Sequence, residues 1–560
     1  MLNRLKIFSA FLFFSVLMFA GCTPSVDDFQ LEIWSPNFSW IYDADVPVFF
    51  SCNIKDSDTI VWESSIDGRL GSGNEFFRKL SSGNHEISAV DTATNKKSVV
   101  TVFVSGTADN GMSVQMLNDL PWTIESENGY GRLALVSLDG SVENLKISCG
   151  TKESQMFNEN CNAIKRDVSF RTETASLKML PPSTGRSASK DDTEKTFYVM
   201  NTGNTGGSPH EISAKKYYSG KNVTAWIPEN FDGEKSILDK CIEKFETIIY
   251  PRVTQLWGKC ADINGDGTIS ILFTPTINQE KMAVGFFNSA DFFRNNRNSS
   301  DSGYNPYSNE MDIIYVAVPD ESDSNYNVNS LIATLAHEFT HSINFTNKTW
   351  IRCLNGESNA PQEEIFLDEG CSHLTESLCG YGVSGGNKDF VNYYLENTGL
   401  YSLTGNDYLG RNDSVGQRGA VCMFLYWLFN RAGGISYADN GVDFIDNGGI
   451  SFLKKMVSSD SVGWDSIGVY FKKSTNALYL EYAKELASKK VENLFDMQKT
   501  DPITLEPIFI CNRIKTNSLD GTHKVLPWSI TIFNLPQNDA IIMDGKKYMG
   551  TVYIIGTTKN

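Results

Sequence analysis

His337 and His341 stand four residues apart, with Glu338 between them, in Leu331-Ile-Ala-Thr-Leu-Ala-His-Glu-Phe-Thr-His-Ser-Ile-Asn-Phe345. On a helix that spacing puts both imidazoles on one face, one turn apart, so both can be aimed at one metal ion. Glu338 then stands beside the metal without binding it, where a general base for a water held at the metal belongs. The chain has only six histidines, so a hydrolytic zinc site is favoured over two incidentally packed rings. Tetrahedral zinc needs a third protein ligand and keeps its fourth position for water. Candidates lie in Gln362-Glu-Glu-Ile-Phe-Leu-Asp-Glu-Gly-Cys-Ser-His-Leu-Thr-Glu-Ser-Leu378, where Phe366, Leu374 and Leu378 suggest a second helix against the core. On such a helix Asp368 points about 100° away from Glu369, while His373 sits one turn on and on the face of Glu369.

Positioning these groups requires a buried helix. Leu331, Ile332, Leu335, Phe339 and Ile343 form the apolar stripe, and Ser330 is the expected N-cap. With zinc in place, Glu338 would take a proton from water and return it to the leaving amine. A further donor normally stabilises the tetrahedral oxyanion; Tyr394, Tyr401, Tyr408 and Tyr426 all lie downstream, and their spacing does not choose among them.

More of the chain shares one pattern. From about Ala225 to Gly434 it resembles the hyicolysin-type zinc metallopeptidases, a gluzincin-like group of secreted bacterial enzymes. The resembling pieces occur in order: Asp262-Ile-Asn-Gly-Asp-Gly-Thr-Ile-Ser-Ile-Leu-Phe273, Val284-Gly-Phe-Phe-Asn-Ser-Ala-Asp291, Ser308-Asn-Glu-Met-Asp-Ile-Ile-Tyr315, the His337–His341 motif, and Leu367-Asp-Glu-Gly370. The resemblance implies a zincin-type α+β fold and zinc-dependent endopeptidase activity. It also implies that Glu369, matching the glutamate of the gluzincin Asn-Glu-Gly segment, completes the ligand set with His337 and His341. His373 then becomes a neighbour that orients a ligand. Val415 departs from the family, standing where a tyrosine is expected.

Asp262, Asn264 and Asp266 alternate before Gly267, as oxygen ligands do at the start of a calcium loop. The twelfth position, where such a loop ends in a bidentate Glu, is Phe273. A bound calcium ion is therefore weighed against a tight Asn-Gly and Asp-Gly turn leading into a strand.

The N-terminus suggests where the chemistry happens. Arg4 and Lys6 precede an apolar run from Ile7 to Phe19, and Phe19-Ala-Gly-Cys22 resembles the lipobox of bacterial lipoproteins. Residues 1–21 read as a cleaved signal peptide, and Cys22 as the lipidated start of a tether over 22–30. The expected product is exported and anchored to a bacterial membrane, at the cell surface or outer membrane. A net charge of −18, which loss of Arg4 and Lys6 makes more negative still, disfavours nucleic acid as a partner. Protein or peptide is the expected substrate.

The fold class is multidomain. Short runs such as Val46-Pro-Val-Phe-Phe-Ser-Cys52, Thr59-Ile-Val-Trp62, His85-Glu-Ile-Ser-Ala-Val90 and Ser98-Val-Val-Thr-Val-Phe-Val104, separated by turn residues, predict an N-terminal β-sandwich over 31–105. It resembles bacterial immunoglobulin-like domains. A second β-rich region spans 112–182, a linker 183–196, the metallopeptidase domain 197–500, and a short β-rich C-terminal piece 503–560. Of the 11 cysteines, ten remain once Cys22 is set aside; disulfides are permitted, with buried thiols expected for Cys241, Cys371 and Cys422. Two readings compete with the endopeptidase: a surface adhesin or binding lipoprotein on a silent peptidase fold, and a zinc hydrolase of a non-peptide substrate.

Overall fold

The structure is a computed structural model that describes residues 30–148, 182 and 193–558. Its breaks fall at 37–40, 44–47, 55–57, 106–113, 118–121, 126–129, 139–141, 204–206, 232, 358–359, 474, 489–494, 496–498, 512–513, 518–520, 535–539 and 547–551. Cys22, the signal segment and most of the linker lie outside the described residues. The chain divides into two compact units, one from the N-terminus to Gly106 apart from 45–47, the other from Thr107 to Asn560.

The first unit is built from two sheets. Ile33–Ser35, Val48–Cys52 and Glu75–Arg78 form one; Ile41–Asp43, Lys96–Ser105, Gly83–Asp91, Ile60–Ser64 and Gly68–Ser72, in that spatial order, form the other. Alternate residues turn inward, and Phe50, Trp62, Leu70, Ile87 and Val102 share one core. The Phe50 and Trp62 rings meet edge to face at 5.5 Å.

The second unit corrects the expected division. Among the described residues, the strands of 114–148 and 521–558 do not make separate β pieces, because they alternate in two four-stranded sheets. Val142–Ser148 lies between Gly521–Val525 and Ala540–Lys546, and Tyr130–Ser137 between Ser529–Asn534 and Val552–Thr558. Periodicity in a sequence marks a strand but says nothing of a partner some 400 residues away.

Between these two ends of the unit lies a six-stranded sheet whose strands are β1 (Glu194–Val199), β2 (His210–Ser219), β3 (Val223–Pro228), β4 (Ile269–Phe273), β5 (Gly285–Phe287) and β6 (Ile313–Val316), in the spatial order β1-β2-β3-β4-β6-β5. The parallel strands β3, β4 and β6 are buried at every residue, as sheets covered on both faces require. Strand β5 runs antiparallel to β6 and forms the outer edge.

The helices are α1 (Lys235–Lys244), which passes through one π-helical turn at Phe245–Ile249 into α2 (Tyr250–Trp257), then α3 (Val328–Phe345), α4 (Ile365–Leu378), α5 (Asn387–Glu396) and α6 (Val415–Arg431). Helix α3 lies against β5 and β6, α1, α2 and α4 pack on α3, and α5 and α6 pack on α4 and on each other. Helix α3 is buried from Ser330 to Phe345, as a helix apolar on several faces must be. Its N-cap is Asn327, whose side chain accepts from Ser330 N at 2.9 Å, and not Ser330 as expected. Both are capping residues; Ser330 lies in the first turn, and its hydroxyl donates to Asn325 O at 2.6 Å. The Phe339 ring packs on Phe245 and Tyr250 at 5.4 and 5.5 Å, fixing α3 against α1 and α2. Trp257 Nε1 donates to Thr375 Oγ1 at 2.8 Å, tying α2 to α4. The eight described cysteines are free thiols, and Cys241, Cys371 and Cys422 are buried. No helix among the described residues is long and apolar enough to cross a membrane.

Candidate metal centre

Helix α3 presents His337 and His341 from successive turns, with ring centroids 4.8 Å apart. Helix α4 brings Glu369 to them: His337 Nε2 is 3.4 Å from Glu369 Oε2, and His341 Nε2 is 3.9 Å from Oε1. One ligand atom from each of the three lies within 4.8 Å of the others, and all three residues are buried. Two ligands on a tetrahedral zinc, each about 2.05 Å from the ion, are separated by about 3.3 Å. The donor atoms thus already stand near the spacing that such an ion imposes. Both Glu369 oxygens are buried; Oε2 faces the Arg418 guanidinium, and Oε1 has no hydrogen-bond partner among the described residues, which a bound cation would supply.

The second ring nitrogen of each histidine is engaged. His337 Nδ1 lies 2.8 Å from Glu376 Oε1, and His341 Nδ1 lies 3.0 Å from Asp368 Oδ2. Carboxylates at Nδ1 favour a proton there, which leaves Nε2 of each ring as the atom that faces the common point and would bind a metal. Asp368 is itself oriented by Asn344 Nδ2 at 2.9 Å. Burial disfavours a charged His341, yet Asp368 and Glu369 outweigh it and raise its pKa to about 9. The negative potential that lifts a histidine also favours a dication.

Glu376 is a residue that sequence reading missed, although the signal was present: it follows Glu369 by seven residues, two helical turns, and so shares its face. His373, expected as the ligand-orienting neighbour, touches Glu376 at 2.9 Å and Asn387 Oδ1 at 2.8 Å. It therefore bears on His337 through Glu376. Burial lowers its pKa despite the Glu376 charge. A second cluster, His337, His373 and Glu376, shares His337 with the first.

Glu338 is fully buried on α3. Edge strand β5 passes it so closely that a Cβ on Gly285 would lie 3.6 Å from Glu338 Cγ, and only 2.7 and 2.8 Å from Thr334 Cγ2 and Tyr315 O. Glycine is what lets the strand approach. A cavity of about 380 Å³ opens beside Glu369, lined also by Phe366, Asp413, Gln417, Arg418 and Val421. None of Tyr394, Tyr401, Tyr408 and Tyr426 lines it; Tyr401 packs on Tyr393, Tyr394 and Tyr408, and Tyr426 stacks on Phe509 at 4.7 Å.

Asp262, Asn264 and Asp266 share one loop whose amides occupy their oxygens. Gly265 N and Gly267 N donate to the two Asp262 oxygens at 2.8 and 3.1 Å, and Thr268 N donates to Asp266 Oδ1 at 2.8 Å. Gly265 and Gly267 take φ of 75° and 79°, the left-handed conformation of tight turns.

No protein-family profile matches the chain. Over 295 residues it is 24% identical to the neutral metalloprotease ShpI of Staphylococcus hyicus, a stretch covering 51% of this chain. The chain spans 63% of that relative's length.

Proposed function

We propose that the chain is a zinc-dependent endopeptidase, with His337, His341 and Glu369 as the metal ligands and Glu338 as the general base. The observation carrying this reading is the convergence of three buried donors at near-tetrahedral spacing beside a buried glutamate. Similarity to a neutral metalloprotease supports a peptide as the substrate. The outer edge of β5, beside Glu338, offers a site where an extended peptide can add as a further strand.

Bound by these residues, zinc supplies the charge that brings the pKa of a water toward about 7 and polarises a carbonyl. Glu338 takes the proton of the attacking water and returns it to the leaving nitrogen. Glu376 and Asp368 hold the protons at Nδ1 of His337 and His341, so both rings keep the tautomer that ligation needs. Glu338 is itself fully buried, which keeps the base away from bulk water.

Cleavage of an unfolded protein by the full chain, lost in Glu338→Gln at undiminished zinc content and lost on chelation, is the expected result. A zinc-loaded wild type that cleaves no peptide but hydrolyses an ester would favour the non-peptide hydrolase, and one inert to both would favour a binding protein. For location, the proposal is export with lipid attachment at Cys22. Incorporation of labelled fatty acid that persists in Cys22→Ala would reject it.

A further inference from the structure

Within that peptidase reading, on which this inference rests, we infer that Arg418 is a catalytic residue. Its guanidinium donates to the carbonyl oxygen of the scissile bond as that oxygen gains negative charge. Arg418 lies in the first turn of α6 and is 1% exposed. Asp413 grips two of its nitrogens, Nε at 2.8 Å and Nη2 at 2.9 Å, which fixes the guanidinium plane. Nη1 is thereby turned toward the metal centre, 2.9 Å from Glu369 Oε2.

This grip is built at a strained point of the chain. Asp413 adopts φ of 58°, unusual for a residue with a side chain. Directly after it, Ser414 N donates to Gln417 Oε1 at 2.8 Å, closing the start of α6, and Gln417 Nε2 is anchored on Ser402 O at 3.1 Å. Helix α6 approaches α4 closely because Gly370 follows Glu369: a Cβ there would lie 2.2 Å from Val421 Cγ1. The same glycine thus brings Arg418 to Glu369.

A purely structural role is a poor account of this placement. A buried cation beside a metal ligand competes with the metal for the ligand's charge, and a surface position would avoid that penalty. The cavity offers the functional account. Among the described residues lining it, Arg418 is the one cation, and it shares the wall with Glu369. Because Asp413 already balances the guanidinium, the geometry favours charge that appears transiently over a permanent substrate carboxylate. In the step concerned, the water oxygen bonds to the carbonyl carbon, the C=O π pair moves onto oxygen, and Glu338 takes the water proton. Collapse then breaks C–N, with that proton delivered to nitrogen. Arg418 keeps its own protons throughout.

The test compares wild type, Arg418→Lys and Arg418→Ala, as zinc-loaded full-length chains, on a C-terminally amidated peptide. Zinc content, kcat, KM and the affinity of a peptide phosphonate, which mimics the tetrahedral anion, are measured for each. The expected result is a fall in kcat of about 100- to 1,000-fold in Arg418→Ala with KM and zinc content little changed. Phosphonate affinity should fall in step with kcat/KM, and added guanidinium should restore part of the rate. Arg418→Lys keeps the charge, so it reports even where the alanine variant fails to fold; it should retain more activity than alanine yet stay below wild type. Unchanged kcat in both variants overturns the inference, as does a loss that follows lost zinc, or one confined to peptides with a free C-terminal carboxylate. A wild type that cleaves nothing defeats the peptidase reading itself, whereas an active wild type with equally active Arg418 variants defeats only the role of Arg418.

Discussion

Replacing Glu376 with Gln isolates the support beneath His337. The Glu376 carboxylate is fully buried, and its Oε1 lies 2.8 Å from His337 Nδ1 and 2.9 Å from His373 Nδ1. Glutamine keeps the shape and one acceptor but removes the charge. A charge-assisted hydrogen bond contributes about 1.5–3 kcal/mol and a neutral one about 0.5–1.5, so the His337 contact weakens by roughly 1–1.5 kcal/mol. If that difference passes fully to ligation, zinc affinity falls about tenfold, the lower end of what loss of a ligand's hydrogen-bond partner brings. The assay is competition for zinc against a chromophoric chelator, with melting of the metal-free and zinc-loaded forms recorded alongside. At a fixed excess of zinc, the stabilisation by metal should shrink by about 1.4 kcal/mol. A folded Glu376→Gln protein that binds zinc as tightly as wild type would refute the reasoning and leave Glu376 a packing residue.

Two predictions concern the scaffold. Gly370→Ala pushes a methyl group to within 2.2 Å of Val421 Cγ1 and 2.8 Å of Leu425 Cδ1, so α4 and α6 must separate; denaturant melts should show a loss of about 1–3 kcal/mol, partly recovered by adding Val421→Ala. A loss below about 0.5 kcal/mol would mean the interface yields freely. Asp291 is fully buried, and burial lifts its pKa to about 7 against the hydrogen bonds it accepts from Asn309 N, Tyr315 OH and Asn288 Nδ2. The folded state therefore keeps this proton to higher pH than the unfolded chain does. Its contribution to stability is complete below about pH 4 and is lost as pH rises toward 7, at no more than about 1.4 kcal/mol per pH unit. Asp291→Asn should remove that slope from urea melts, and parallel curves for wild type and variant would count against it.

What could be read from residues alone followed the range of the interaction. The His337–His341 spacing lies within one helix, so its geometry is local and was legible. So was the burial of Cys241, Cys371 and Cys422, which sit in apolar helical patterns. The cap of α3 was misplaced by three residues because Asn327 and Ser330 have equal capping chemistry, and the choice rests on where Asn325 O finds a donor. Arg418 was invisible, since nothing local says that an arginine 49 positions after Glu369 returns to it. The sheets shared by 114–148 and 521–558 failed for the same reason on a larger scale.

Asp368 shows how a rejected candidate acquires a different role. A rotation of about 100° from Glu369 argued against its being the ligand. Along α3 from His337 to His341, the α4 contacts run backward from Glu376 to Asp368, so the two helices pass in opposite directions at the site. Glu369 then falls between the Nε2 atoms, and the neighbouring residue, one helical step around, reaches the far nitrogen of His341. A single face of α4 could not have supplied both the proposed ligand and the two carboxylates behind the histidines. Adjacent Asp and Glu do so because they diverge, which makes the pair Asp368-Glu369, followed by the glycine that admits α6, one arrangement with three parts.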